Sequence, residues 1–257
     1  MPVERKRSSS SVERAFEFLD IVAAQTRGVT LTDLARTTEL PVSTCHRYVA
    51  TLVDLGALNK SSNGRLTLGV RIVTLAQSAL EKNTLRNLAR PHLEELAARS
   101  GETVHLGLHS PHGVVYVDKI DSEKAVRLVS RIGSVVPHYC TAMGKAILAT
   151  LPPDQRQPLI ENSTTILTPH TLTGPALINE LETVARQRWA IDEQENEEGV
   201  RCIGAAISSS TGELLGALSI SGPATRFTRD LCLDIASDVV TAADAIGHTT
   251  SLSGTHE

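Results

Sequence analysis

The sequence predicts an α+β protein of two domains, a small helical domain with a short hairpin followed by a larger domain with a central antiparallel sheet. Three observations support this prediction. Segments with helical periodicity and one Asn-Gly hairpin signal fill the first seventy residues. Runs of β-branched residues separated by Gly, Pro and Ser dominate the chain beyond residue 100. A length of 257 residues is long for one compact domain and sufficient for two.

The first domain is predicted to contain three helices. Apolar residues in Val12–Ala24 recur with the period of an α-helix and form one wide apolar face. Thr30 predicts the N-cap of a second, short helix, because Asp33 stands three positions later, as in a capping box. The third helix is expected to begin at Ser43 and to end at Gly56, a residue typical of helix C-termini.

A hairpin is predicted directly after the third helix. Residues 57–69 contain two short strand-like pieces around Asn63-Gly64, the dipeptide that tight hairpin turns favour. Three helices followed by a hairpin is the order of elements in a winged helix-turn-helix domain, which we place at residues 9–70. We predict a linker helix over residues 71–84, since apolar positions in Val70–Lys82 again have helical spacing.

The second domain is predicted over residues 85–248, with helices packed on a central antiparallel sheet. Its first helix, Leu85–Arg99, contains Pro91, where we expect a kink or a break. Six segments are typical of strands: ETVHLGLH, GVVYVDKI, AVRLVSRI, WAIDEQE, VRCIGAAISSS and LLGALSISG. Three more helices are expected at residues 141–151, 175–189 and 229–247.

Helical spacing places Cys45 and Arg47 on opposite sides of the third helix. Cys45 belongs to an apolar stripe formed by Val42, Cys45, Val49, Leu52 and Val53. The opposite face carries hydroxyl groups and a guanidinium, which suit phosphates and base edges, although an ordinary solvated face is the alternative. A helix-turn-helix presents the early residues of this helix to the major groove. The predicted DNA contacts are Ser43, Thr44, His46, Arg47, Tyr48 and Thr51, with Arg65 in the hairpin.

Composition and charge are ordinary for a soluble globular protein, with 41% hydrophobic and 21% charged residues. Residues 1–80 carry a net charge of +3 and the remainder −7, which fits a basic module that meets phosphate and an acidic body. The opening residues MPVERKRSSSS lack the apolar core of a secretory signal, and no apolar run is long enough to span a membrane. We therefore expect a cytoplasmic protein without a membrane partner.

The four cysteines argue against a metal site and against a disulfide scaffold. Cys45, Cys140, Cys202 and Cys232 lie far apart, without the paired spacing of zinc ligands. Cys45 and His46 are adjacent but point about 100° apart on a helix, and no second ligand pair is near them in sequence. We expect reduced, mostly buried thiols and no metal.

Several strings in the same order resemble the IclR family of bacterial transcriptional regulators, from about Ser10 to Gly247. They are SVERAFEFLDIVA, LTDLARTTELPVSTCHRYVATLVDLGAL, NGRLTLG, RPHLEELAARSGETVHLGL, RIGSVVPHYCTAMGKAILA, DEQENEEGVRCIGAAI and GALSISGP. The resemblance implies an N-terminal winged helix-turn-helix and a C-terminal effector domain of GAF-like fold. It also implies homodimers, often paired into homotetramers, whose grip on operator DNA changes when a small molecule binds the second domain, with repression or activation as the result.

This sequence departs from the family pattern at two places. Cys45 stands where the family commonly has valine, a conservative change in the core that leaves the DNA face intact. Tyr139 and Cys140 stand where small or aliphatic residues are usual, which puts the size of the effector pocket in doubt.

The second domain has polar residues that can line a cavity. Ser219 and Ser221 are two positions apart in a strand and so share one face, although a pair of exposed serines is the alternative. Asp192 falls within a strand-like segment and can point inward. Matched to the family, the effector-binding positions are Ala142, Met143, Asp192, Cys202, Ser219 and Ser221.

A small organic acid, aliphatic or aromatic, is the ligand class that the sequence favours. The helix that begins near Thr141 presents free N–H groups, which bind carboxylates. The number of polar contacts is modest, which suits a ligand of modest size. Arg131 and His138 are near in sequence and can add charge.

An enzyme is the less favoured reading of the second domain. Cys202, His138 and Asp192 can be arranged as nucleophile, base and orienting group, but no GxSxG, HExxH or P-loop accompanies them. We therefore predict no catalytic residue and no cofactor. The predicted function is a DNA-binding regulator controlled by a small-molecule effector. The alternative is a sensor that acts through protein contacts, in which the winged helix serves dimerisation.

Overall fold

The computed structural model describes residues 10–253 of the chain. The predicted start of the first domain at residue 9 and the basic opening residues lie outside this range. The chain divides into two compact units on either side of Lys82 and Asn83, and each is described by itself. Within the described range, no helix is both long and apolar enough to cross a membrane.

The first unit has three helices, a hairpin and a fourth helix, as predicted. In chain order these elements are α1 (Ser11–Ala23), α2 (Leu31–Thr38), α3 (Val42–Asp54), β1 (Leu58–Lys60), β2 (Leu66–Leu68) and α4 (Val70–Glu81). The two strands pair antiparallel, with Leu58 opposite Leu68. The predicted capping box is confirmed, because the Thr30 side chain accepts from the Asp33 N–H while the Asp33 carboxylate accepts from the Thr30 N–H.

The core of the first unit is formed by one apolar face from each helix and from the hairpin. Phe18 of α1, Leu34 of α2, Cys45 of α3 and Leu66 of β2 are fully buried in it. The prediction that Val42 belongs to this core is wrong, since its side chain is 52% exposed. It is the first residue of α3 and lies in an exposed first turn, which the core does not reach.

The second unit has an α+β order of elements. These are α5 (Thr84–Ser100), β3 (Thr103–Ser110), β4 (Gly113–Ile120), β5 (Val135–Val136), α6 (Ala142–Thr150), α7 (Pro153–Glu161), α8 (Gly174–Gln187), β6 (Ala190–Glu193), β7 (Val200–Ser208), β8 (Leu214–Pro223) and α9 (Arg229–Ser253). The strands form one antiparallel sheet in the order β5-β4-β3-β8-β7-β6. Helix α6 packs on β7, β8 and α8, while α5 and α9 pack on each other and on the sheet. The predicted central antiparallel sheet is confirmed.

The third predicted strand, AVRLVSRI, is wrong, and the short β5 pairs with β4 instead. Its apolar residues are not buried, and Val129 is 84% exposed. Side chains bind its backbone in place of a neighbouring strand: Arg226 donates to the Val126 carbonyl at 3.0 Å and Lys119 to the Ser130 carbonyl at 2.7 Å. This irregular segment lies beside the candidate cavity described below.

Three helices differ from the prediction. Helix α5 continues unbroken through Pro91, so a break there is wrong. Helix α7 is not predicted by the sequence pattern, because Pro158 lies inside it and little of it is buried. Helix α9 extends beyond its predicted end at Gly247 to Ser253.

Candidate nucleic-acid interface and ligand cavity

Helix α3 presents a polar, exposed face. The side chains of Ser43, His46, Arg47 and Thr51 are exposed, and that of Thr44 is half-buried. The hydroxyl of Thr51 donates to the Arg47 backbone carbonyl at 3.1 Å. This bond does not involve the Arg47 guanidinium. Five of the predicted DNA contacts therefore lie together on one helix, which is the arrangement that reads a major groove.

The other two predicted contacts are partly engaged inside the domain. Tyr48 is half-buried, and its ring centroid lies 5.4 Å from that of Phe18. Arg65 is exposed, but its guanidinium donates to the Gly28 carbonyl at 2.9 Å and so joins the hairpin to the loop before α2. Tyr48 supports the packing of α3 on α1, and Arg65 fixes the hairpin.

Cys45 lies in the core and not on the polar face. Its sulfur is 3.8 Å from the Thr38 hydroxyl and 4.0 Å from the Leu40 carbonyl, both weak thiol contacts. In the part of the chain that the structure describes, no group of three or more His, Cys, Asp and Glu side chains is arranged to hold a metal ion.

A cavity of about 150 Å³ lies in the second unit. All six residues that the sequence assigned to the effector pocket line it: Ala142, Met143, Asp192, Cys202, Ser219 and Ser221. The remaining lining residues are Tyr116, Leu128, Val129, Ser130, Ser134, Val136, Thr141, Asn196, Glu197 and Val200. The structure thus brings together residues from the start of α6, five strands (β4 to β8), the irregular segment before β5 and the loop after β6.

The strand register explains how three of these side chains meet. Asp192 on β6 is opposite Cys202 on β7, which in turn is opposite Ser221 on β8. Residues directly opposite in antiparallel strands project to the same face, so the three side chains form one row across the sheet. Ser219 lies two positions from Ser221 and so extends the same face.

The start of α6 closes over this row. Thr141 is its N-cap, with its hydroxyl oxygen accepting from the Gly144 N–H at 3.1 Å. Two glycines permit the close approach: a Cβ on Gly204 would lie 3.1 Å from the Met143 nitrogen, and one on Gly144 only 2.2 Å from the His138 carbonyl oxygen. The N-terminus of α6 therefore lies at the cavity, which Thr141, Ala142 and Met143 line, and a helix N-terminus attracts an anion.

Burial dominates the acid–base chemistry of the row. The side chain of Asp192 accepts the N–H of Glu195 at 2.7 Å and that of Asn196 at 3.4 Å, both on Oδ1. Removal from water raises the pKa of Asp192 to about 7, against the opposing effect of the Glu195 N–H. Burial also raises the pKa of the Cys202 thiol well above its usual value, with the Asp192 charge adding to the effect. Cys202 is therefore a protonated thiol and a poor nucleophile.

A buried ion cluster stands beside the cavity. The Lys145 ammonium of α6 donates to Glu195 and lies 3.4 Å from a Glu180 carboxylate oxygen. One oxygen of Glu195, Oε2, is buried and has no hydrogen-bond partner among the described residues. The ammonium thus pairs with two carboxylates and does not contribute a positive charge to the lining of the cavity.

The catalytic arrangement considered from the sequence does not form. His138 does not line the cavity, because its Nε2 is hydrogen-bonded to Nδ1 of His109 at 2.9 Å. Burial lowers the pKa of His138 to about 4. Arg131 also lies outside the lining. Asp192 and Cys202 therefore have no histidine base between them, and neither His138 nor Arg131 adds charge to the cavity.

The departure from the family pattern at Tyr139 and Cys140 does not narrow the cavity. Tyr139 and Cys140 belong to the hydrophobic core under α6, and neither lines the cavity. The Tyr139 hydroxyl donates to the Thr165 carbonyl at 2.8 Å, which turns the ring away toward that loop.

Sequence reasoning missed Tyr116 and Ser130 among the lining residues. The Tyr116 ring stacks on His105, with centroids 4.5 Å apart, and Nε2 of His105 is 2.8 Å from the Ser130 hydroxyl. His105 is buried, and that burial lowers its pKa to about 4, so the imidazole is neutral. Alternation along β4 could have placed Tyr116 on one sheet face, but the irregular segment around Ser130 offers no such signal.

Two family models cover both units of the chain. The model described as "IclR helix-turn-helix domain" matches residues 11–62, and the model "Bacterial transcriptional regulator IclR C-terminal" matches residues 77–248. The second match alone spans more than half of the chain.

Curated relatives and solved structures agree with these matches. The regulator XynR of Escherichia coli is 34% identical over 214 residues, which cover 82% of this chain and 85% of XynR. The transcriptional repressor IclR of the same organism is 30% identical over 241 residues, covering 92% and 88%. An IclR homologue from Microbacterium hydrocarbonoxydans, solved with 4-hydroxybenzoate, has a TM-score of 0.76 at 25% identity, covering 96% of this chain and all of that one.

These proteins are regulators of transcription and not enzymes, which agrees with the protonated Cys202 and the missing histidine base. Both units are matched in order, the helix-turn-helix with its polar α3 face and the sheet domain with its cavity. The chain belongs to the IclR family of bacterial transcriptional regulators, with a helix-turn-helix DNA-binding domain and an effector-binding C-terminal domain.

Proposed function

We propose that this regulator binds operator DNA through the exposed face of α3 and that a small organic acid in the cavity controls this binding. The observation that carries the proposal is the convergence, on one cavity of the second unit, of the six residues that the family resemblance implies for effector binding. We assign DNA binding to residues 9–70, the linker helix to 71–84 and effector binding to 85–248.

The DNA contacts that we propose are Ser43, Thr44, His46, Arg47, Tyr48 and Thr51 on α3 and Arg65 on the hairpin. Exposure of the α3 residues supports base and phosphate contacts, because a long guanidinium and short hydroxyls match the donors and acceptors of the major groove. Tyr48 contacts the Phe18 ring and Arg65 donates a hydrogen bond to Gly28. These contacts within the domain support a role for both side chains in positioning the domain, through contacts to the DNA backbone.

A small acid is the ligand class that the cavity supports. Its volume of about 150 Å³ suits a ligand of few atoms, and its polar lining consists mainly of hydroxyl groups. The N-terminus of α6, which Thr141, Ala142 and Met143 bring to the cavity, attracts a carboxylate. A relative of 25% identity has been solved with 4-hydroxybenzoate, an aromatic acid, which favours the same class.

We also propose that the protein is a homodimer, or a homotetramer of paired dimers, in the cytoplasm and that it represses transcription. Helix α4 has no buried residue and exposes Val70, Val73 and Leu75, while α1 exposes Val12 and Phe16. Exposed apolar side chains of this size mark surfaces for protein contact. Two copies would read two half-sites of an operator. A 30% identical relative is named a repressor, which favours that sign of regulation.

Binding to the DNA that flanks the gene tests the proposal. In gel-shift assays the full chain should retard this fragment and not a scrambled one, with an affinity that falls steeply as salt rises. Small carboxylic acids should change the retardation. Ligand binding without any retardation of flanking DNA would instead favour the alternative, a sensor that acts through protein contacts.

A further inference from the structure

The cavity combines two carboxyl groups with no cationic side chain. Asp192 and Glu197 are its ionisable acids, and none of the described residues that line it is Lys, Arg or His. Glu197 is exposed to solvent, whereas Asp192 is 2% exposed. An organic acid that enters the cavity therefore meets one buried carboxyl group whose charge has the same sign as its own.

No neighbouring group supplies the missing positive charge. The charge of the Lys145 ammonium acts on Asp192, but Glu195 and Glu180 already pair with this ammonium. The other titratable groups around Asp192 are neutral thiols and a phenol whose pKa values are raised by burial, namely Cys140, Cys202 and Tyr116.

Two like charges a few ångströms apart in a buried site repel strongly, because little water screens them. A pair of carboxyl groups resolves this by sharing one proton, as the two catalytic carboxyls of aspartic proteases do. The geometry at Asp192 allows the same solution. Its Oδ1 accepts the N–H groups of Glu195 and Asn196, which leaves its second oxygen to carry a proton, and the residue lines the cavity.

We propose that Asp192 binds the carboxylate of the effector in its protonated form, so that at alkaline pH each acid bound brings one proton into the cavity. This inference rests on the proposed function, in which the cavity binds a small organic acid. The Asp192 O–H donates to one carboxylate oxygen, and the positive end of α6 complements the charge that remains. Asp192 thereby selects monoanionic acids and ties their affinity to pH.

Protonation of Asp192 is accessible near neutral pH, since burial raises its pKa to about 7. Below that pH the free protein already carries the proton, and the affinity for an acid is constant. Above it, a proton must be taken from solution, so the affinity falls by about tenfold for each further pH unit.

Calorimetry on the full-length protein tests this linkage. The probes are benzoate, 4-hydroxybenzoate, propionate and pyruvate, titrated at pH 6, 7, 8 and 9 in two buffers that differ in ionisation enthalpy. For an acid that binds, the dissociation constant should rise by only about twofold between pH 6 and 7 and by about ninefold between pH 8 and 9. Proton uptake should grow from near zero at pH 6 to near one at pH 9.

The variant Asp192→Asn keeps a hydrogen-bond donor without a titratable proton. We expect it to bind the same acid with no proton uptake and with one affinity from pH 6 to pH 9. The matched control is Glu197→Gln, which removes the other carboxyl of the lining and should keep the pH dependence of the unmodified protein. If Asp192→Asn does not fold, the pH dependence of proton uptake by the unmodified protein is a sufficient test of the inference.

The outcomes separate the inference from the proposed function. An acid that binds equally well at pH 6 and pH 9 without proton uptake would overturn the inference and leave an acid-responsive regulator. Failure of all four acids to bind, or preferential binding of the neutral benzamide or the cationic benzylamine, would overturn the assigned ligand class and the inference together.

Discussion

Lys145 of α6 and Glu195, in the segment after β6, form an ion pair inside the second unit, with side chains 1% and 3% exposed. Glu180 of α8 lies 3.4 Å from the same ammonium. One lysine thus joins two helices to the strand that carries Asp192. Because Glu195 also donates its N–H to Asp192, the pair fixes one wall of the cavity.

Replacing Lys145 by Met should destabilise the second unit by about 3–5 kcal/mol, because removing one partner of a buried pair leaves an uncompensated charge. Urea unfolding followed by the fluorescence of Trp189, the one tryptophan of the chain, measures this. The double variant Lys145→Met with Glu195→Gln should recover part of the loss. A double variant no more stable than Lys145→Met would show that the pair is not what holds this wall.

Replacing Arg47 by Ala should weaken specific operator binding by about 5- to 150-fold without unfolding the first unit, because the side chain is exposed on α3 and lies outside the core. A bidentate contact from arginine to guanine contributes about 1–3 kcal/mol of discrimination. Gel shift with the flanking DNA and circular dichroism give the two readouts. Arg186→Ala, the same charge change on exposed α8, is the matched control and should bind normally. Unchanged binding by Arg47→Ala would remove α3 from the interface.

Replacing Ser219 and Ser221 together by Ala should weaken the effector response and spare DNA binding by the free protein. Both hydroxyls line the cavity and neither faces solvent, so their loss removes polar contacts for a ligand from one wall. Effector-dependent release in a gel shift measures the response. Ser237→Ala on the exposed side of α9 is the control. Equal loss of both activities would indicate a folding defect.

The stability difference between Asp192→Asn and the unmodified protein should depend on pH. The folded-state pKa of Asp192 is about 7, above the usual value of 3.8, so the folded protein binds an extra proton between these values. The stability that this proton contributes is full below about pH 4 and is lost as pH rises to 7. The Asn variant has no titrating group at this position and lacks this loss. Its free energy of unfolding should therefore increase relative to that of the unmodified protein between pH 4 and 7. A difference that is constant over this range would contradict the raised pKa.

Local rules predict much of this fold because the first unit is built from local signals. The capping box at Thr30 and the Asn63-Gly64 turn depend only on neighbouring residues, and both appear where the sequence places them. The prediction that Val42 is buried is wrong because the helical period locates the apolar stripe but does not tell how far the core extends along the helix.

The second unit shows where local rules stop. The row of Asp192, Cys202 and Ser221 depends on strand register, and only the family resemblance identified all three residues. The segment around Val129 has strand-like composition, yet its backbone bonds to Arg226 and Lys119 from distant parts of the chain. No local pattern predicts such tertiary bonds, so the sequence does not predict that Ser130, which lies in this segment, lines the cavity.

The centre of the sheet pairs two strands that are synthesised far apart in time, since Thr103 of β3 lies opposite Ser221 of β8. Domains fold as units during translation, the N-terminal one first. The ribosome therefore releases α1 to α4 before it has made Asp192, Cys202 and Ser221, the residues that form the row across the sheet. A newly made copy gains its α3 surface before it gains the cavity, which its last-made strands complete.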